Sequence, residues 1–218
     1  GMRTEDLIQQ LVARLTPTRS LRPPIVRALH WFALSLAYAA AVTLSFSLVG
    51  GSVRLSLEGG YAIQQVATLI VAGLAAIAAL ASTIPGRDHR LIALPFSALL
   101  AWLLVAWSFP VAVDPGASGY GRWACLPLSI LLGVPPAIAL VSMLRRGVPL
   151  YPRMTMMVGA LASVGIGNLG LQLFNTGDAA PLTILGHIAG GAAFLLVGWV
   201  VDPSILRWNR VAIGEIGR

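Results

Sequence analysis

Residues 123–149 form the stretch WACLPLSILLGVPPAIALVSMLRRGVP, an apolar run that stops at Arg145 and Arg146. About 20 such residues, each rising about 1.5 Å along a helix, cross a hydrocarbon core of about 30 Å, so the run predicts a transmembrane helix. Pro135 and Pro136 lie near its middle, where prolines remove helical hydrogen bonds and bend the axis. We expect neighbouring helices to bond the carbonyl groups that are freed there.

The composition of the whole chain agrees with a membrane location. Hydrophobic residues make up 57% of the chain and charged residues 11%, with a mean hydropathy of +0.82. Soluble domains carry about 25% charged residues, so this chain lacks the polar surface that water requires. The pI of about 11.0 comes from arginines spread through the connecting segments. They form no single basic stripe, which excludes direct nucleic-acid binding.

Six apolar runs of transmembrane length follow one another, separated by short turn-like segments such as PGRDHR and NTGDAA. Connections this short make neighbouring helices antiparallel, and a helix satisfies its own backbone hydrogen bonds inside lipid. We therefore expect an all-α fold, a bundle of six transmembrane helices preceded by a short cytoplasmic amphipathic helix. An arm with its tether (1–27) and a tail (202–218) flank the spans, which are predicted at 28–49, 61–84, 91–113, 123–144, 154–174 and 181–201.

The distribution of arginine predicts the orientation of the bundle. Thirteen of the fifteen arginines fall in the N-terminal arm, the second and fourth loops and the tail, whereas only Arg54 and Arg122 fall on the other side. Because cytoplasmic loops collect positive charge, both termini are expected in the cytoplasm. The expected location is a membrane crossed by several spans, with lipid as one partner.

The predicted spans lack the residues that intramembrane chemistry needs. No Asp, Glu, Lys or Arg falls in the interior of any predicted span. Such charges mark ion pathways and substrate sites, so their absence argues against a pump, a transporter of charged substrates or an enzyme. Polar bonds across helices are the expected role of Gln64, Gln65, Asn168 and Gln172.

No cofactor or metal site is predicted. His30 and His187 cannot share a haem, because their depths in the bilayer differ by about 10–15 Å. Because Cys125 is the only cysteine, the chain cannot form an intramolecular disulfide. Cys125 is predicted in the same outer leaflet as His187, but two ligands are too few for a metal ion. The expected role of Cys125 is packing. Gly186 and Gly190 form a GxxxG pattern that permits close helix packing and would also support a homodimer.

The arm before the first span, TEDLIQQLVARLTPTRSLRPP, predicts an amphipathic helix. Thr4 is a suitable N-cap, Glu5 and Asp6 favour the positive end of the helix dipole, and Pro17 ends the helix. Such a helix lies on the membrane surface or docks in a groove of a partner protein. The acidic start and the lack of lysine and aromatic residues favour the partner. The apolar stripe comprises Leu7, Ile8, Leu11, Val12 and Leu15.

Four features carry a family resemblance: the start MRTEDLIQQLVA, the tether ending in LRPP, the six predicted spans, and the Cys-Leu, Pro-Pro and Arg-Arg-Gly series of the fourth span. With these features the chain resembles the NrsF-like family of inner-membrane anti-sigma factors. The resemblance covers essentially the whole chain. It implies a negative regulator that holds an ECF-type sigma factor at the membrane through the arm. An envelope signal, oxidative or heavy-metal stress in this family, would release the sigma factor.

The resemblance also implies a role for cysteine. Members of the family are similar in having two cysteines near the outer face, and the first matches Cys125, a possible sensor. At the second position this chain has Asn175 and Thr176, which puts a two-thiol sensing mechanism in doubt. The alternative function is a small neutral-solute transporter or channel, which would need a polar-lined cavity between the spans.

Overall fold

The computed structural model describes residues 4–13, 21–48, 59–84, 86, 89–108, 121–147, 149 and 151–173, with isolated positions beyond; for 121–129 it describes the backbone. These residues form helices and turns and contain no strand. The α-helices are α1 (Thr4–Ala13), α2 (Pro24–Leu48), α3 (Gly59–Ala81), α4 (Ala93–Ser108), α5 (Gly121–Leu144) and α6 (Pro152–Leu173). A short 3-10 turn, His89–Ile92, precedes α4.

Helices stand where the sequence predicts them. The predicted arm helix is α1, and the first five predicted spans coincide with α2 to α6 to within several residues at each end. The sixth, at 181–201, lies almost wholly outside the described residues. Two helical segments are long and apolar enough to cross a membrane by length and composition, Pro24–Leu48 and Ala62–Ala81. The six-span arrangement itself stays a prediction.

The bundle is built around α3, which packs most extensively against α6 and also contacts α2 and α4. Helix α6 packs in turn against α5. At the α3–α6 crossing a Cβ added to Gly165 would lie 2.7 Å from the Cβ of Ala72. Only a glycine therefore fits at this point of α6. Since Ser82, directly after α3, bonds Thr155 of α6 at the other end of the contact, the two helices run antiparallel.

Alanine is the most frequent buried residue of the bundle, and large apolar residues occupy much of the bundle surface. Alanines predominate among the buried side chains, with Ala72, Ala75 and Ala76 fully buried on α3. By contrast, Leu104 and Trp107 of α4 are 69% and 84% exposed. In water large side chains collect inside, whereas packed helices in lipid bring small residues together at their contacts. The alanine contacts of α3 and the exposed side chains of α4 follow the pattern of helices in lipid, while large side chains such as Trp31 and Leu80 are also fully buried.

Candidate functional site

The arm helix α1 presents its described apolar side chains to solvent. Glu5 and Asp6 lie in its first turn, where carboxylates favour the positive end of the helix dipole. Ile8 is 54% exposed and Val12 is 59% exposed. Because residues four apart lie on one helix face, these two side chains form an exposed apolar pair that a partner can cover.

The other predicted contact residues of the arm are described less fully. Leu7 and Leu11 lie within α1, and their helical spacing places them on the predicted stripe. Leu15 lies outside the described residues. The structure contains the helix that carries the stripe. The contact of this stripe with a partner stays a prediction.

The junction between the arm and the bundle differs in detail from the prediction. The sequence assigns residues up to 27 to the tether, but α2 already begins at Pro24, as suits a proline at the first helical position. Arg27 is therefore a residue of the first turn of α2. Its side chain is only 8% exposed, so one arginine of the set that the sequence predicts to be cytoplasmic lies buried in the helix bundle.

Arg27 joins the start of α2 to the ends of two other helices. Its Nη1 donates a hydrogen bond to the Oγ1 of Thr83, at 3.2 Å, just beyond α3. Its Nη2 donates to the carbonyl oxygen of Met143, in the last turn of α5, at 2.5 Å. Both acceptors are neutral, and both lie at C-terminal helix ends, where the helix dipole favours a cation. Loss of hydration on burial opposes this placement of the charge most, and like-charge repulsion from Arg146 opposes it further.

The same end of the bundle is closely packed around Thr83. A Cβ added to Gly147, in the turn after α5, would lie 2.5 Å from the Cβ of Thr83. A side chain at 147 would therefore displace Thr83, one of the two acceptors of Arg27. Beside it, the hydroxyls of Ser82 and Thr155 lie 2.7 Å apart and join the ends of α3 and α6.

Two further side chains of α2 bond the backbone of α5 beside its two prolines. The Nε1 of Trp31 donates to the carbonyl oxygen of Pro136 at 2.8 Å, and the hydroxyl of Tyr38 donates to that of Leu131 at 2.8 Å. Pro135 has no N–H with which to bond the carbonyl of Leu131, four residues earlier. Tyr38 therefore supplies the bond that the proline removes. This agrees with the prediction that a neighbouring helix bonds the freed carbonyl.

Polar side chains also lie on the other helices of the bundle, and we call these four residues the polar seam: Gln65 and Thr68 of α3, Trp102 of α4 and Asn168 of α6. Trp102 of α4 donates its Nε1 hydrogen to the Oγ1 of Thr68, at 2.8 Å. Within the described part of the chain, the buried amide atoms of Gln65 and the Oδ1 of Asn168 have no hydrogen-bond partner. Bonds across helices, the predicted role, are therefore absent for the Gln65 amide. Such unpaired groups are energetically unfavourable, which makes the seam a weak point of the packing.

The predicted sensor, Cys125, lies in the first two turns of α5. Only the backbone is described there. Its predicted outer-leaflet neighbour His187 and the positions Asn175 and Thr176 lie outside the described residues. The structure thus places Cys125 on the helix that bonds α2, and leaves its role as a sensor to be tested.

Sequence reasoning missed the α2–α5 contacts. Arg27 was counted only as a positive charge of the arm, and Trp31 and Tyr38 were parts of an apolar run. Their spacing of four and seven residues, which places them on one helix face, was the available signal. The prolines of α5 indicated that a donor was needed, but not which helix supplies it.

Comparison with known proteins gives a match to a protein family. The family model described as NrsF, negative regulator of sigma F, matches residues 11–208. No curated protein and no solved structure gives a significant match to the chain. The family match takes in the last three residues of the arm helix, all the described helices of the bundle and most of the remaining chain. With this extent of match, the chain belongs to the NrsF family, the negative regulators of sigma F.

Proposed function

We propose that this protein is a membrane-bound anti-sigma factor that sequesters an ECF-type sigma factor through its N-terminal arm. The observation that carries the proposal is the exposed apolar pair Ile8 and Val12 on a helix with an acidic first turn. A groove on the sigma factor covers the apolar stripe, by the helix-in-groove mode. Glu5 and Asp6 face basic residues of the partner, which favours a DNA-binding surface.

The membrane location is supported by the arrangement of side chains. The bundle encloses many alanines and exposes large apolar side chains such as Leu104 and Trp107, and two of its helical segments have the length and composition of membrane spans. We propose six spans in the bacterial inner membrane with both termini in the cytoplasm, following the distribution of arginine. The arm then reaches the compartment in which the sigma factor binds RNA polymerase.

Release follows a signal from the envelope, with oxidative or heavy-metal stress as the proposed inducers. Cys125 alone cannot form an intramolecular disulfide. A thiol-based signal would therefore need a second thiol from another subunit or from a ligand. The family match favours this regulator over the neutral-solute transporter, and no cofactor, metal or catalytic residue is part of the proposal.

The arm is tested by introducing charge on its apolar stripe. In cells that co-express the sigma factor, Leu7, Leu11 and Leu15 are replaced together by Asp. We expect the sigma factor to leave the membrane fraction and sigma-dependent transcription to rise, because three carboxylates cannot be buried in an apolar groove. Membrane fractionation and a transcriptional reporter measure the two effects.

A matched control places the same three charges on the other faces of the helix. Gln9, Gln10 and Ala13 are replaced by Asp, and Gln9 and Ala13 are exposed in the structure. This variant should keep the sigma factor at the membrane. If the stripe variant also keeps it there, the arm is not the contact and the proposal is wrong.

A further inference from the structure

Helix α2 donates three side-chain hydrogen bonds to the backbone of α5, from Arg27, Trp31 and Tyr38. We call them the α2–α5 bonds. The donors are four and seven residues apart, so they lie on one face of α2 over about 16 Å of its length. The acceptors are the carbonyls of Met143, Pro136 and Leu131, in the reverse order. The two helices are thus antiparallel and joined at three levels.

The chemistry of the acceptors makes these bonds sensitive to position. A backbone carbonyl moves with its helix, whereas a side-chain acceptor can rotate to follow a donor. A hydrogen bond is lost when donor and acceptor separate by more than about 0.5 Å beyond 3.0 Å. A slide of α5 that exceeds what the three donor side chains can follow by rotating therefore either moves α2 with it or breaks the bonds.

Burial favours the first outcome. Trp31 is fully buried and Arg27 is 8% exposed. A buried N–H that loses its acceptor loses its only compensation for leaving water. The contact of Gly147 with Thr83 holds the second acceptor of Arg27 in place from the α5 side. Helix α2 is accordingly expected to follow α5.

We propose that the α2–α5 bonds carry a displacement of α5 to the N-terminal arm, and that Arg27 is the positioning residue at the exit. The proposal rests on the anti-sigma function proposed above. Arg27 lies three residues after Pro24, where the tether ends and α2 begins. Cys125 lies near the other end of α5. A change at the start of α5 thereby reaches the arm along two helices.

The experiment measures the linkage directly in the full-length protein. Nitroxide labels are attached to Arg22→Cys and Ser142→Cys, both exposed positions, in a Cys125→Ser background. Double electron–electron resonance then gives the distribution of distances between α5 and the start of α2. We expect a single narrow distribution in this background and a broader or shifted one when Arg27→Gln or Trp31→Phe is added.

Matched controls separate the linkage from general effects of substitution. Arg145→Gln removes an exposed arginine at the same end of the bundle, and Trp107→Phe removes an indole that is 84% exposed. Neither should change the distribution. Where Arg27→Gln fails to accumulate in membranes, Trp31→Phe and Tyr38→Phe, which keep an aromatic ring, decide the result.

The functional measurement uses a sigma-dependent reporter in uninduced cells. A linkage that carries a displacement also fixes the resting position, so without a signal the bonds hold α2 and the arm in the sequestering position. Loss of one bond should therefore raise the reporter by about two- to tenfold, the factor by which one hydrogen bond shifts a two-state equilibrium. Unchanged distance distributions in the α2 variants would overturn the proposal. So would broader distributions with an unchanged reporter.

The arm variants keep the two proposals distinct. If the variant with Leu7, Leu11 and Leu15 replaced by Asp still holds the sigma factor at the membrane, the proposed function is wrong. The distance distributions of the Arg27 and Trp31 variants would still show whether α5 and α2 are linked.

Discussion

Replacement of Gly165 by alanine tests the tightest contact of the bundle. The new Cβ would lie 2.7 Å from the Cβ and 3.3 Å from the Cα of Ala72, which is fully buried on α3. These are not the far atoms of a flexible side chain, so α3 and α6 must separate by about 0.7 Å to restore an ordinary contact of 3.4 Å. Overpacking of this kind lowers the free energy of unfolding by about 1–3 kcal/mol.

Gly73→Ala is the matched reference. No atom lies within 4 Å of a Cβ added at Gly73, and both glycines lie inside helices. Each alanine gains about 1 kcal/mol of helix propensity, so this gain cancels between the two variants. Their difference in the free energy of unfolding should equal the overpacking term, about 1–3 kcal/mol, with Gly165→Ala the less stable.

Unfolding of the full-length protein in detergent micelles, followed by circular dichroism as a denaturing detergent is added, measures the difference. Gly170→Ala provides a third point. Its Cβ would meet the Cδ1 of Leu132 at 2.5 Å, but that atom is the end of a side chain that can change rotamer. We expect an effect between those of the other two. Equal stability of the Gly165 and Gly73 variants would refute the close crossing of α3 and α6.

Three further variants test other parts of the structure. Gln65→Leu should raise the free energy of unfolding by about 1–3 kcal/mol, because it removes buried amide atoms that lack partners; a loss of stability in the same unfolding assay would contradict this. Trp102→Phe should lower it by about 1 kcal/mol through loss of the bond to Thr68, and an unchanged value would exclude that bond. Cys125→Ser should leave the sigma factor at the membrane in fractionation, whereas its release would show that the thiol is needed for sequestration.

The helices of the arm and bundle could be predicted because their signals are local. The alternation of long apolar runs with short breaks places α2 to α6, and the acidic start and apolar spacing of the arm place α1. The polar seam was predicted less well. Glutamine and asparagine in an apolar run suggest bonds across helices, but the amide atoms of Gln65 have no partner. Whether a partner is within reach depends on rotation of the neighbouring helix, which local sequence does not encode.

By itself, the sequence determined that this chain is helical and rich in apolar segments, that Pro135 leaves a carbonyl in need of a donor, and that the arm carries an apolar stripe. Each depends on residues close together in the chain. Only the tertiary structure decided that Tyr38 is that donor and that Arg27 is buried against Met143, 116 residues away. Such pairs depend on the register and rotation of packed helices, which arise from many weak contacts summed along their whole length.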